Sequence, residues 1–253
     1  MPSLSVVIVA QDESRTIARV LQAIKNLVDE IVLVDSGSTD GTPQIATDNG
    51  ARVVHQDWLG YAAQKNFAID MAVGDWILSL DADEIVSPEL NTEIAIMLSN
   101  PNIESCDGYR IPRVLYIGDT PVRHGGFYPD AQLRLFKRGK GRFNDRLVHE
   151  AIKVNGPVGM LKHDLLHYAY ADISGFTAAM EKYAQLSAAE YKRSGKASWK
   201  GHPLNELVHP TWTFFYRYVV RAGFLDGELG WRLNSIYSDY VRNKIRYSRQ
   251  LLQ

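Results

Sequence analysis

Four short runs rich in β-branched and aliphatic residues, at 4–10, 30–34, 52–55 and 76–80, begin 26, 22 and 24 residues apart, with amphipathic stretches between them. A strand cannot bury both faces alone, and a spacing of this size leaves room for a crossover helix after each strand. The rhythm therefore predicts successive βαβ units and a parallel sheet covered on both faces. Local punctuation agrees: Asn49-Gly50 suits a helix C-terminus, Gly74 precedes the fourth run, and Ser87-Pro88 places a cap and a first-turn proline before a helix over 89–98.

After residue 101 the rhythm changes. Runs at 109–116, 132–137 and 161–170 read as strands joined by glycine-rich loops, and from 173 the pattern is helical, with helices expected over 173–194, 205–222 and 231–251. The division predicted is 1–100 and 101–172 as two halves of one domain and 173–253 as a helical region, with 193–202 as a linker. Composition adds exclusions. A net charge of −1 gives no sign of a nucleic-acid partner, and the single cysteine, Cys106, rules out an internal disulfide and a thiolate zinc site. Neither a signal peptide nor a membrane-spanning run is read from the sequence, so a cytoplasmic protein is expected.

The fourth run ends in Asp81-Ala82-Asp83. Continued extension through Ala82 would point both carboxylates the same way, a place for a hard divalent cation that also takes phosphate oxygens. In an open parallel sheet ligands sit beyond the strand carboxyl ends, where Asp12, Glu13, Asp35 and Asp57 also gather. Asp35 could accept from a uracil imide or a ribose hydroxyl. Asp40 reads as a helix cap, and Asp12 and Glu13 as either caps or ligand contacts. Lys65, near a helix start with Asn66, could neutralise a phosphate.

These blocks, Ser5–Ala10 with Asp12-Glu13, 31–42 ending in Asp40-Gly41-Thr42, Gln64-Lys65-Asn66, and 74–84 containing Asp81-Ala82-Asp83-Glu84, resemble family 2 glycosyltransferases of the GT-A fold. Later segments, 125–130, 132–136, Val148-His149-Glu150 and 223–230, are similar to the lipopolysaccharide core β-glucosyltransferases that act on an inner-core heptose. The resemblance implies an α/β, mostly parallel Rossmann-like sheet flanked by helices, with a C-terminal helical extension. It implies inverting transfer of a hexose, glucose being expected, from a UDP-sugar with Mg²⁺ or Mn²⁺. Asp83, with Asp81 and His167 as further candidates, would hold the ion. The base would be Glu150, with Asp130 as its rival.

Two other readings stand beside it: a sugar-nucleotide nucleotidylyltransferase, which lacks its glycine-rich basic loop here, and a non-catalytic sugar-nucleotide binding module. From 211 to 253, seven arginines and lysines against three acids are interleaved with aromatics. That pattern suits an anionic membrane surface, a dimer contact through the C-terminal helices, or plain packing. The lipid-anchored oligosaccharide acceptor implied by the resemblance favours peripheral attachment to the inner face of the inner membrane.

Overall fold

The computed structural model describes residues 2–100, 105–144, 151–195 and 201–252. Two compact units form, one from Met1–Val114 and Asp130–Tyr168, the other from Leu115–Pro129 and Ala169–Gln253.

The first unit is built on β1 (Leu4–Ala10), β2 (Glu30–Asp35), β3 (Arg52–His55) and β4 (Trp76–Asp81), the four runs read from the sequence, with α1 (Ile17–Ile24), α2 (Thr42–Asp48) and α3 (Tyr61–Met71) between them. Alternation along β1 divides the core. Leu4, Val6 and Ile8 pack with α1 and α4 (Pro88–Ser99) on one face, while Val7 packs with Val32, Ala68 and Ile69 on the other. Each such aliphatic side chain, fully buried, contributes about 1.5–3 kcal/mol relative to exposure. The α4 cap is as expected: the Ser87 hydroxyl accepts from the Leu90 amide at 3.1 Å, ahead of Pro88.

The sheet has seven strands in the order β12-β6-β9-β4-β1-β2-β3, with β6 (Gly108–Ile111), β9 (Gln132–Lys137) and β12 (Val158–Met160). Four of its pairings are parallel, and β9 alone runs antiparallel to both neighbours. The α/β sheet flanked by helices is thus present, and so is the helical C-terminal region. The run at 109–116 is not one strand: Pro112 separates β6 from β7 (Arg113–Ile117), because proline cannot donate to a ladder. The run at 161–170 becomes strand only at β13 (Leu165–Tyr170), which pairs antiparallel with the short β5 (Glu84–Val86), so that His167 faces Glu84 in register. A further hairpin joins β10 (Gly141–Phe143) to β11 (Ile152–Val154).

In the second unit β7 forms a hairpin with β8 (Thr120–Val122), and Ile117 and Val122 pack with Phe176 and Leu233. Asp172 starts α5 (Ile173–Arg193) by accepting from the Gly175 amide at 2.9 Å. The helix expected over 205–222 is α6 (Pro203–Phe215), after which the backbone widens into a single π turn at Tyr216–Val220 and then a 3-10 turn at Gly223–Asp226. Finally α7 (Gly227–Gln250) packs against α5, where Asn243 donates to Glu181 at 2.9 Å and the Tyr247 hydroxyl donates to the same carboxylate. No helix among the described residues is long and apolar enough to cross a membrane.

Gly74 marks how tightly the strand edges meet. A Cβ there would lie 2.7 Å from both the Ser5 nitrogen and its hydroxyl oxygen, a contact with backbone that cannot rotate away. Gly74→Ala is therefore expected to cost about 1–3 kcal/mol, read as a lower urea midpoint with an unchanged slope.

Candidate active site

Strand register gathers the polar residues. Asp35 lies opposite Ala10 and His55, and Asp81 opposite Val9, so the carboxyl ends of β1, β2, β3 and β4 come into one row. The strand direction does not continue through Ala82 as the sequence reading required. β4 ends at Asp81, Ala82 and Asp83 form a turn, and β5 begins at Glu84. The Asp81 amide donates to Glu84 Oε2 at 3.1 Å across that turn. Two acids two residues apart consequently acquire different surroundings.

Asp81 meets cations on both oxygens: Lys65 Nζ lies 2.6 Å from Oδ1 and Arg134 Nη2 lies 2.6 Å from Oδ2. The same Arg134 nitrogen is 2.6 Å from Glu84 Oε1, which also takes Arg113 Nη1 at 2.8 Å. Arg113 continues to Asp130, whose other oxygen accepts from Gln132 at 2.7 Å. Three acids and three bases thus form one chain of contacts, with Glu84 wholly buried and Arg134 nearly so. Burial opposes ionisation of Asp81, but Arg134 and Lys65 outweigh it and hold this carboxyl well below the ordinary range. Asp130 behaves likewise: burial raises it, Arg113 prevails, and the net shift is downward. Arg134 is pushed upward, its own burial being overcome by Asp81 and Glu84.

Asp83 stands apart from this chain. Its Oδ2 lies 3.4 Å from His167 Nε2, and the two side chains are 26% and 17% exposed. A carboxylate oxygen and an imidazole nitrogen thus stand side by side and partly exposed, while the other acid of the motif is already compensated. Among the described residues no three His, Cys, Asp or Glu side chains converge as a ready-made cation site. The pair still fits a hard ion that takes one or two protein ligands and fills its remaining positions with phosphate oxygens and water.

The other predicted residues divide between scaffold and cleft. Asp35 is 4% exposed and accepts from the Gly37 and Ser38 amides at 3.0 and 3.1 Å, so its carboxylate orders the loop after β2. Asp12, at φ +56°, accepts from the Thr39 amide at 2.7 Å and ties the β1 and β2 loops together. Glu13 accepts from the Thr16 hydroxyl at 3.1 Å, and burial, reinforced by the charges of Asp83, Asp40 and Asp12, raises its pKa. Asp40 accepts from the Thr42 amide at 3.1 Å, at the start of α2. Lys65 is brought to Asp81, while Asn66 exchanges two hydrogen bonds with the Phe143 backbone at 2.9 and 3.0 Å and is structural. Glu150 lies outside the described residues.

Arg134, Arg113 and Glu84 carry no role in the sequence reading. A signal existed for the first: Leu133-Arg134-Leu135-Phe136 places a charge within a run whose neighbours pack on both sheet faces, and a guanidinium there requires carboxylates.

The fold and this row of strand ends place the chain among α/β proteins whose chemistry lies beyond the carboxyl edge of a parallel sheet. Comparison is specific: the model of glycosyl transferase family 2 matches residues 5–147, and the chain belongs to that family. It is 30% identical over 266 residues to the lipopolysaccharide core biosynthesis glycosyltransferase LpsC of Rhizobium meliloti (strain 1021), covering 99% of this chain and 94% of that one. An uncharacterized glycosyltransferase of Rickettsia felis is 31% identical over 237 residues, covering 90% of this chain and 82% of its own. Glucosyl-3-phosphoglycerate synthase from Mycobacterium tuberculosis, solved with Mn²⁺, UDP-glucose and phosphoglyceric acid, is 28% identical over 44% of each chain at a TM-score of 0.38, too partial a likeness to bear on the fold.

The charge chain has a pH signature. Asp81 and Asp130 have folded pKa values below those of the unfolded chain, so their contribution to stability is complete above the ordinary carboxylate range and is lost as pH falls from about 5 downward. Arg134→Met removes the bridging cation and leaves Glu84 buried with one partner fewer. It is expected to cost about 3–5 kcal/mol at pH 7 and to flatten the acid side of the stability profile, as measured by urea unfolding at pH 7 and pH 4.5.

Proposed function

We propose that this glycosyltransferase moves a hexose, expected to be glucose, from a UDP-sugar to an inner-core heptose of lipopolysaccharide, with inversion and with Mg²⁺ or Mn²⁺ as cofactor. The observation that carries the metal assignment is the Asp83–His167 pair, the two open donors beside a charge-balanced Asp81. The end-to-end similarity to a relative named for lipopolysaccharide core biosynthesis supports the acceptor class. Such an acceptor is lipid-anchored, so the reading places the protein on the inner face of the inner membrane, peripherally bound.

In this reading Asp83 and His167 would hold the ion, which would supply Lewis-acid compensation of charge on a departing diphosphate. Lys65 is fixed by Asp81 at the carboxyl end of β4, where a diphosphate would meet a cation already oriented. Glu13, whose pKa is raised by burial and then by the charges of Asp83, Asp40 and Asp12, follows the carboxyl end of β1. Proton removal from the acceptor hydroxyl is assigned to Glu150. Asp130 suits that task poorly, because both of its oxygens are engaged and its pKa is depressed, whereas a base works best with a pKa near the working pH.

Asp83→Ala is expected to abolish the Mn²⁺-dependent part of UDP binding in calorimetry and to lower kcat by about a hundredfold or more; unchanged Mn²⁺-dependent affinity would overturn the metal assignment. Glu150→Gln should keep UDP affinity and lose about 10²–10⁴ in kcat. Asp130→Asn should instead lower the unfolding midpoint, since it strips Arg113 of a partner. A Glu150→Gln enzyme with wild-type turnover would remove the base assignment.

A further inference from the structure

In the second unit a cavity of about 360 Å³ is lined by Gly126, Trp212, Thr213, Tyr216, Arg217, Arg221 and Tyr237. Its charge is of one sign. Arg217 lies between two aromatic faces, with its guanidinium carbon 4.2 Å from the Phe127 ring centre and 3.9 Å from that of Tyr237, and its Nε donates to Asn234 at 3.3 Å. Among the described residues no carboxylate lies within 4.0 Å of Arg217 or Arg221. The nearest acids along the chain are engaged elsewhere: Asp226 with His124 at 2.8 Å, and Glu228 with Arg232 at 2.6 Å. Burial, reinforced by the charge of Arg221, pushes the Arg217 pKa down. The backbone also closes on both guanidiniums. A Cβ on Gly126, at φ +76°, would stand 3.3 Å from Arg217 Nη1 and 3.8 Å from Arg221 Nε.

Two guanidiniums without a carboxylate are suited to phosphate oxygens, which the guanidinium fork can take pairwise. The rim is of the opposite character. Trp212 and Tyr216, which line the cavity, are 61% and 41% exposed, and Leu204, Leu207, Val208, Phe215 and Val219 extend the exposed apolar surface along α6 and the π turn. Positions 204, 208, 212, 215 and 219 recur at three- and four-residue intervals, which places them on one helical stripe. A soluble phosphate ester has no use for that stripe; an amphiphile with a phosphate head and an apolar body matches both halves.

We infer that this cavity is a phosphate-headgroup site through which the second unit docks on an anionic bilayer, with Arg217 and Arg221 on the phosphate and Trp212 with its stripe in the acyl boundary. The inference deepens the membrane-surface part of the proposed function and rests on it; the donor site is not involved. The test uses the full chain with vesicles of phosphatidylcholine alone and of phosphatidylcholine with phosphatidylglycerol. Wild type should sediment with the anionic vesicles and not with the neutral ones. Arg221→Gln, at an exposed position, should weaken anionic-vesicle affinity roughly fivefold and flatten its salt dependence. Trp212→Ala should weaken it comparably while keeping the salt dependence. Both variants should bind UDP with Mn²⁺ as wild type does, so a failed donor site and a failed docking site give separate readouts. Equal binding of Arg221→Gln and wild type to anionic vesicles overturns the site. Saturable binding of inorganic phosphate without vesicle sedimentation assigns the cavity to a soluble phosphate ester and overturns the bilayer.

Discussion

A buried guanidinium between two carboxylates sets the terms for the catalytic unit. Arg134 reaches Asp81 and Glu84 through one nitrogen, at 2.6 Å each, while its Nε is buried without a partner among the described residues. Removing ions from water costs several kcal/mol each, and a pair recovers that only with good geometry and further hydrogen bonds. Here the recovery is collective: Lys65, Arg113, Gln132 and the Asp81 amide complete the contacts that Arg134 leaves open. The chain of charges joins β4, β5, β7 and β9 to α3, so the turn at Ala82-Asp83 is held from several sides. Within that turn Asp83 lies 3.4 Å from His167, so the second acid of the motif pairs with an imidazole while the first is committed to the charge chain.

The second unit obtains cohesion differently. Aromatic contacts recur through its packing: Phe127 meets Phe176 and Tyr237 edge-on, and Trp231 meets Phe214 and Tyr218. Arg217 is accommodated by ring faces instead of acids. Arg217 is stacked on rings with no carboxylate within 4.0 Å among the described residues, whereas Arg134 is neutralised in place. The same residue type is therefore held by acids in one unit and by ring faces in the other.

Legibility in the sequence followed the range of the interactions. β1 to β4 could be read because alternate residues feed two separate apolar faces, a local pattern with a period of two. The Ser87 cap and the Asn49-Gly50 turn were readable for the same reason. Three-residue strands such as β5, β8 and β10 leave no periodicity to detect, and the break at Pro112 was hidden by apolar residues on either side. In the site, the types of residue were legible and their partners were not. The sequence offers Lys65 for phosphate and Asp81 for metal; their contact with each other depends on how α3 crosses to β4. Glu84 and Arg134, 50 positions apart, meet only because β9 is inserted antiparallel beside β4.

That inserted strand explains why Asp81 and Asp83 differ. An additional cation approaching Asp81 meets two fixed positive charges at 2.6 Å and must share or displace them. Beside Asp83 stands an imidazole, whose neutral form carries a lone pair on one ring nitrogen. The electrostatic contrast does not come from the aspartates, which are chemically identical, or from their spacing. It comes from Arg134 on a neighbouring strand and Lys65 on α3, which compensate Asp81, while Asp83 pairs with His167. In a motif of two acids two residues apart, the counter-ions delivered from elsewhere in the fold decide which acid is committed to the scaffold.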